Sequence, residues 1–379
     1  MKVYFDNAAT TAIDMDVFEA MKPYMLEHFG NPSSIHSHGR QVRTAIERSR
    51  KKVADLLNAA PAEIFFTSGG TEADNTAIRC TVSEKGIKHI ISSKIEHHAV
   101  LHTVEALEKK GIKVSYVNLN ENGQVDYDHL ENLLKNTPNT LVTLMHANNE
   151  IGNLLNIDRV GEMCKEHDAC FHSDTVQSMA HYTHNMQNLN LDFAVGSAHK
   201  FHGPKGIGFL YINHENKIHP FIHGGAQERN MRGGTENVYG IVGLAKAMEI
   251  AYGNMEGHRK HIEALKTRMI EKLKATIDGV AFNGVSDELD KSLYTVLNVC
   301  LPPNDDNDML LFNLDIEGVS ASGGSACSSG SSIGSHVLAE LNRDQNRGAI
   351  RFSFSKYNTL EEVDYAVEKL SKLYQPETA

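Results

Sequence analysis

From residue 63 onward, short apolar runs alternate with longer stretches in which apolar residues recur at helical spacing. The runs at 63–67, 88–92, 114–119, 141–146, 169–173, 191–195 and 207–212 read as buried strands. The stretches at 99–109, 126–135 and 157–167 read as amphipathic helices. Strands alternating with helices predict βαβ units, hence an α/β fold with a mainly parallel sheet covered by helices on both faces. Ligands of such sheets lie at the carboxyl ends of the strands. A single long helix is expected over 239–273, with Ile241, Leu244, Ala245 and Met248 at helical spacing. Beyond it come strands at 294–299 and 349–354 and a closing helix near 360–373. A large domain over 14–257 and a smaller one formed by 1–13 and 258–379 are expected, although the pattern by itself does not assign residues 1–13 to either.

Composition narrows the class. With 379 residues, 41% of them hydrophobic, the chain can bury one large core and a smaller second one. No run approaches the roughly 18 apolar residues of a membrane span, and the first residues, with Asp6 among them, lack the apolar stretch of a signal peptide. A cytoplasmic protein is expected. The net charge of −11 gives no basis for nucleic-acid binding. Five cysteines at irregular spacing (Cys80, Cys164, Cys170, Cys300, Cys327) argue against a disulfide framework. Without CxxC or HExxH arrangements, no metal site is expected.

Several segments carry chemistry, most of them just after a strand. Ser68-Gly69-Gly70-Thr71 joins the strand at 63–67 to a helix. Free amides at that helix start would cradle a phosphate, and a plain capped turn fits as well. Asp174, after the strand at 169–173, reads either as a helix cap or as a carboxylate facing a ring nitrogen. Lys200 ends Ser197-Ala198-His199-Lys200, where an amine can form a Schiff base if its surroundings allow. His97 starts a helix. Asn149, in Asn148-Asn149-Glu150, either meets a ligand or shapes a turn. Arg351 is a charge inside an apolar strand, suited to a carboxylate or to a structural ion pair. Cys327 is centred in glycine and serine, unlike the other four cysteines, which sit in apolar or helical contexts. An amine, an acid and phosphate donors from strand ends of one sheet together describe pyridoxal phosphate.

In order, the motifs YFDNAATT, FGNPSSIH, TSGGTEADN, EHHAV, NNEIG, HSDTVQ, SAHKFHGPKG, HGGAQE, RGGTENV, SGGSACSS and AIRFS run nearly end to end. The chain thereby resembles the NifS/IscS-type cysteine desulfurases of the class V aminotransferase group. That resemblance implies pyridoxal-phosphate fold type I, with a large domain, a smaller α/β C-terminal domain and pyridoxal 5'-phosphate as cofactor. It implies Lys200 as the Schiff-base lysine, Asp174 at the pyridine nitrogen, Gln177 at the phenolic oxygen and His97 stacked on the ring. Gly70, Thr71, Ser197 and His199 match phosphate contacts. Thr235 matches a phosphate contact from a second subunit, so a homodimer is implied. Asn149 and Arg351 match groups holding cofactor and substrate carboxylate, and Cys327 the cysteine that receives sulfur from L-cysteine as a persulfide, with release of alanine. A sulfur-acceptor protein, such as an iron–sulfur scaffold or a tRNA-thiolation protein, is the implied partner. Selenocysteine lyases and class V transaminases are the neighbouring alternatives. Three departures from the family pattern stand out: Thr175 where alanine is frequent, Ala226 where HGGGQE is usual, and CSSGSS in place of a loop beginning Cys-Thr.

Overall fold

In the computed structural model, residues 1–304, 307–323, 334–341, 344 and 346–374 are described. The chain begins with strand β1 (Val3–Tyr4) and helices α1 (Met15–Leu26) and α2 (Ser37–Leu57). The main sheet follows: β2 (Ile64–Thr67), β3 (His89–Ser92), β4 (Lys113–Tyr116), β5 (Thr140–Thr143), β6 (Cys170–Ser173), β7 (Phe193–Ser197) and β8 (Gly208–Ile212). Their spatial order is β2-β8-β7-β6-β5-β3-β4. All seven expected runs are strands, and the sheet is mainly parallel as expected. The exception is β8, antiparallel to both neighbours. The link from β7 to β8 holds no crossover helix, and Gly206 (φ +74°) turns the chain straight back.

Helices α3 (Gly70–Glu84), α4 (His98–Glu108), α5 (Tyr127–Lys135) and α6 (Ile157–Glu166) make the crossovers. Their starts are capped by side chains: Asp126 accepts from His129 N and Asn156 from Arg159 N, each at 3.0 Å. In α6 the buried residues Ile157, Val160, Gly161 and Cys164 form one face at i, i+3, i+4 and i+7, turned to the sheet. Strand β3 pairs with β4 on one side and β5 on the other, so the winding reverses there. Such a reversal opens a crevice at the strands' carboxyl ends.

The long helix expected over 239–273 is instead two helices, α7 (Val238–Gly253) and α8 (Met255–Thr276). Asn254 breaks the run at φ −142°, ψ 36°. Gly253-Asn254 is a weak helix pair, and the two helices serve different cores. Val238, Ile241, Leu244 and Met248 join the core under the main sheet. Ile262, Leu265, Met269 and Leu273 join a second core.

That second core lies on the antiparallel strands β9 (Ala281–Phe282), β10 (Val296–Pro303) and, beyond helix α9 (Leu310–Ile316) and strand β11 (Val319–Ser320), β12 (Arg347–Ser353). Helices α10 (His336–Ala339) and α11 (Leu360–Lys372) complete it, α11 against α8. Strand β1 pairs in parallel with β11, and Phe5 belongs to this second core. Immediately afterwards the chain crosses to the main sheet, where Thr11 N donates to His199 O at 2.9 Å. Ala8 and Ala9 are thereby brought to the strand ends of the main sheet. Among the described residues, no helix is long and apolar enough to cross a membrane.

Candidate active site

A cavity of about 260 Å³ opens at the carboxyl ends of β2, β3, β5, β6 and β7. Gly70, Thr71, His97, Asn149, Asp174, Gln177, Ser197, His199, Lys200 and Arg351 all line it. Most come from the turn after a strand; Gly70 and Thr71 begin α3, Ser197 ends β7, and Arg351 projects from β12. Lys200 follows β7 on a single 3-10 turn. Its Nζ donates to Ala8 O at 2.5 Å and Ala9 O at 3.0 Å. The returning N-terminal segment thus aims the amine into the cavity.

Helix α3 begins at the cavity wall. A Cβ on Gly70 would lie 2.8 Å from Val176 Cγ2, so only glycine lets the helix start pack this close to the turn after β6. Free amides of the first turn and the Thr71 and Ser197 hydroxyls are the donors an anion needs. His199 Nδ1 lies 3.2 Å from Thr10 Oγ1, and burial beside Lys200 and Lys205 pulls its pKa to about 4. It is a neutral imidazole.

Asp174 is buried, and its Oδ1 accepts from Val176 N at 2.9 Å. Two further carboxylates, Asp74 and Glu96, are buried in the same region. Burial, reinforced by Asp174 and Glu96, holds Asp74 well above the usual carboxylate range. Burial likewise pushes Glu96 to about 8, although its Oε1 accepts from Ser93 Oγ and Met145 N. Near neutral pH Glu96 therefore carries a proton. His97 caps α4, with Nδ1 accepting from Ala99 N at 3.2 Å. Burial lowers its pKa, with Asp174 opposing and Lys200 adding to the effect.

The turn after β5 divides its two asparagines between the two readings of the sequence. Asn148 shapes the turn: its Oδ1 accepts from Glu150 N and Ile151 N, and its Nδ2 donates to Ile95 O. Asn149 faces the cavity. Arg351, 1% exposed, donates through Nη1 to Asn149 O and through Nη2 to Asp6 Oδ1, each at 2.8 Å. Its Nε has no partner among the described residues. Gln177 donates to Ala8 O at 3.0 Å.

Two expected site residues are not in this group. Thr235 lies in a separate surface pocket of about 190 Å³ with Ser68, Gly206 and Arg232. Cys327 lies outside the described residues, as does the CSSGSS departure. The other two departures have local reasons. Thr175 Oγ1 donates to Val195 O and accepts from Val195 N, tying β6 to β7. Ala226 sits at φ −79°, where glycine is not required. Asp74 and Glu150, also in the cavity wall, were missed. Asp74 stands one helical turn after Gly70, and that i, i+4 spacing was a usable signal.

The class-V aminotransferase family matches residues 3–366, and the chain belongs to it. A cysteine desulfurase IscS from Dictyoglomus turgidum is 44% identical over 381 residues, covering 99% of this chain and 95% of that protein. Among solved structures, a NifS-like protein superposes with a TM-score of 0.90 at 39% identity, over 98% of this chain and 99% of the other. The structure of SspA in complex with cysteine gives 0.82 at 33%, over 95% and 100%. The cofactor is pyridoxal 5'-phosphate. The donor set fits it: a lysine amine for the aldehyde, a buried carboxylate for the ring nitrogen, and a glycine-started helix for the phosphate. Among the described residues no group of His, Cys, Asp or Glu is arranged to hold a metal ion.

Proposed function

We propose that the chain, a pyridoxal-phosphate-dependent cysteine desulfurase, moves the sulfur of L-cysteine onto Cys327. The observation that carries this reading is the meeting of Lys200, Asp174 and Arg351 in one cavity. When bound, pyridoxal phosphate supplies an electron sink for bond changes at the substrate α-carbon. Lys200 Nζ would hold the cofactor aldehyde, and its amine is the base placed to take the substrate α-proton. Asp174 would hold the pyridine nitrogen and Gln177 the phenolic oxygen. The start of α3, Ser197 and His199 would hold the phosphate. The His97 ring would help hold the cofactor and move protons at the substrate. Arg351 and Asn149 hold the substrate carboxylate.

The Cys327 thiolate attacks the substrate sulfur, forming the S–S bond as the C–S bond breaks. Cysteine and the enzyme thiol become alanine and an enzyme persulfide, so atoms balance. Ser322 pairs with Arg351 at the cavity, Arg351 N to Ser322 O being 2.6 Å.

Thr235 completes the phosphate site of a second copy in a homodimer, and an iron–sulfur scaffold or tRNA-thiolation protein takes the sulfur in the cytoplasm. Residues 14–257 form the cofactor-binding domain; 1–13 and 258–379 form the domain that carries Cys327. The test is to mix loaded protein with L-cysteine and weigh the Cys327 peptide. A gain of one sulfur is expected, matched by alanine. Full alanine release from Cys327→Ala would defeat the reading.

A further inference from the structure

Lys200 enters the cavity on a flexible four-carbon stem, so its aim depends on the backbone turn that carries it. That turn runs on from the 3-10 segment Ala198–Lys200 and is strained: His202 sits at φ +66°, a region that residues with side chains rarely occupy. Such a conformation persists only where its surroundings hold it.

Thr11, which has no part in the reaction as drawn above, holds it. A hydroxyl has one proton to give and lone pairs to accept with, and the buried Thr11 side chain uses both. Its Oγ1 donates to His199 O at 2.9 Å and accepts from His202 N at 2.8 Å. These two contacts stand on either side of Lys200, so one oxygen closes the turn around it. Neighbouring bonds support the closure. Thr11 N donates to His199 O at 2.9 Å, Asp14 N donates to His202 O at 3.0 Å, and His202 Nδ1 donates to Ala12 O at 2.9 Å.

The segment that carries Thr11 is itself anchored. Ala8 N donates to Ser353 Oγ and Asn7 Nδ2 to Ser353 O, each at 2.8 Å, at the end of β12. Ala8 O and Ala9 O, which accept from the Lys200 amine, belong to the same segment. Residues 8–11 therefore hold Lys200 twice, the tip through two carbonyls and the root through the Thr11 hydroxyl.

We propose that Thr11 is a positioning residue for Lys200. Its hydroxyl fixes the turn in the orientation from which the amine reaches the cofactor aldehyde. The inference rests on Lys200 being the Schiff-base lysine.

Cofactor capture in the absence of cysteine tests it. Capture joins Nζ to the aldehyde carbon, and the aldehyde oxygen leaves as water with both amine protons. Cofactor-free wild type, Thr11→Val and Thr11→Ser are mixed with saturating pyridoxal 5'-phosphate. Samples reduced with borohydride at intervals give, from peptide masses, the fraction of Lys200 that has captured it, and urea midpoints are measured alongside. Thr11→Val keeps nearly the same shape without the hydroxyl and should capture about 10- to 100-fold more slowly than wild type. Thr11→Ser keeps the donor and acceptor and should stay within about threefold of wild type. Should Thr11→Val fail to accumulate, Thr11→Ala takes its place against the same limits. A wild-type capture rate without the hydroxyl would overturn the proposal, even with a lowered urea midpoint, because the hydroxyl would then serve stability alone. So would Thr11→Ser being as slow as Thr11→Val. No capture at Lys200 of the wild type would instead sink the Schiff-base assignment, and this inference with it.

Discussion

The Arg351 guanidinium reaches the Asp6 carboxylate at 2.8 Å, joining the last strand of the second sheet to the segment that leads from β1 to the cavity. Two of its three nitrogens are thereby committed, Nη2 to Asp6 and Nη1 to Asn149 O, leaving Nε without a partner among the described residues. A buried guanidinium held in this way is aimed before any ligand arrives, so little is lost on ordering it. It suits the carboxylate of an amino acid.

Replacing Arg351 by lysine should separate binding from chemistry. A lysine ammonium keeps the charge but cannot hold Asp6, Asn149 O and a carboxylate in one planar fork. KM for L-cysteine should rise about 10- to 100-fold, the equivalent of one charge-assisted hydrogen bond of about 1.5–3 kcal/mol. The kcat should change much less. Steady-state alanine release measures both, and an unchanged KM would refute the carboxylate role.

Lys200→Ala should abolish the visible absorption of the loaded protein and alanine release together. Asp174→Asn keeps the shape of the side chain and removes its charge. That variant should still bind the cofactor, and alanine release should fall by about two or more powers of ten. Spectra and turnover on the same samples check both. A fully active Asp174→Asn would show that the carboxylate does not govern the ring nitrogen.

The strands were legible because buried parallel strands are nearly continuous apolar runs ended by turn residues, as in Ile90-Ile91 or Phe193-Ala194-Val195. The antiparallel β8 was not, since an apolar run carries no direction. The break at Asn254 escaped because α7 and α8 are each amphipathic and only tertiary packing sends their faces to different cores. The cavity was legible where chemistry follows a strand directly, as at Asp174 and Lys200. Thr11 was not. What gives it meaning is His199, 188 positions away, and no local pattern carries that contact.

Stability should fall in acid over a defined window. Burial holds His146 and His172 at about 3, and His181, His184, His199 and His202 at about 4. Unfolded, each would titrate near 6.5. As pH drops below about 6.5, the unfolded chain takes up protons that the folded chain refuses, so stability declines until about pH 4. Each histidine contributes up to about 1.4 kcal/mol per pH unit in that interval. Glu96, raised to about 8, acts oppositely, its protonation favouring the folded state as pH falls from about 8 to 4.5, and Asp74, raised by burial, acts in the same sense as Glu96. Six imidazoles against these two carboxyls should lower the urea midpoint between pH 7 and pH 5. A flat midpoint would contradict the burial of these imidazoles.

The largest single-site loss of stability is expected at Glu228, in the HGGAQE motif. Arg50 Nη1 and Nη2 meet its Oε2 and Oε1 at 2.7 and 2.8 Å, with both side chains almost fully buried. Glu228 Oε2 also accepts from Phe66 N in the main sheet, and Arg50 Nη1 donates to Ile64 O. The pair therefore ties α2, β2 and the turn that leads toward Thr235 into one unit. Desolvating two charges costs nearly what their attraction returns, so the intact pair adds little net stability. Removing one partner is different, because the other charge stays buried. Glu228→Gln should cost about 3–5 kcal/mol in urea unfolding. An Arg50→Met, Glu228→Leu double variant should cost less than the single change, since no charge is stranded. If the double variant loses as much as both single changes added together, the two residues act independently and this account of the pair is wrong.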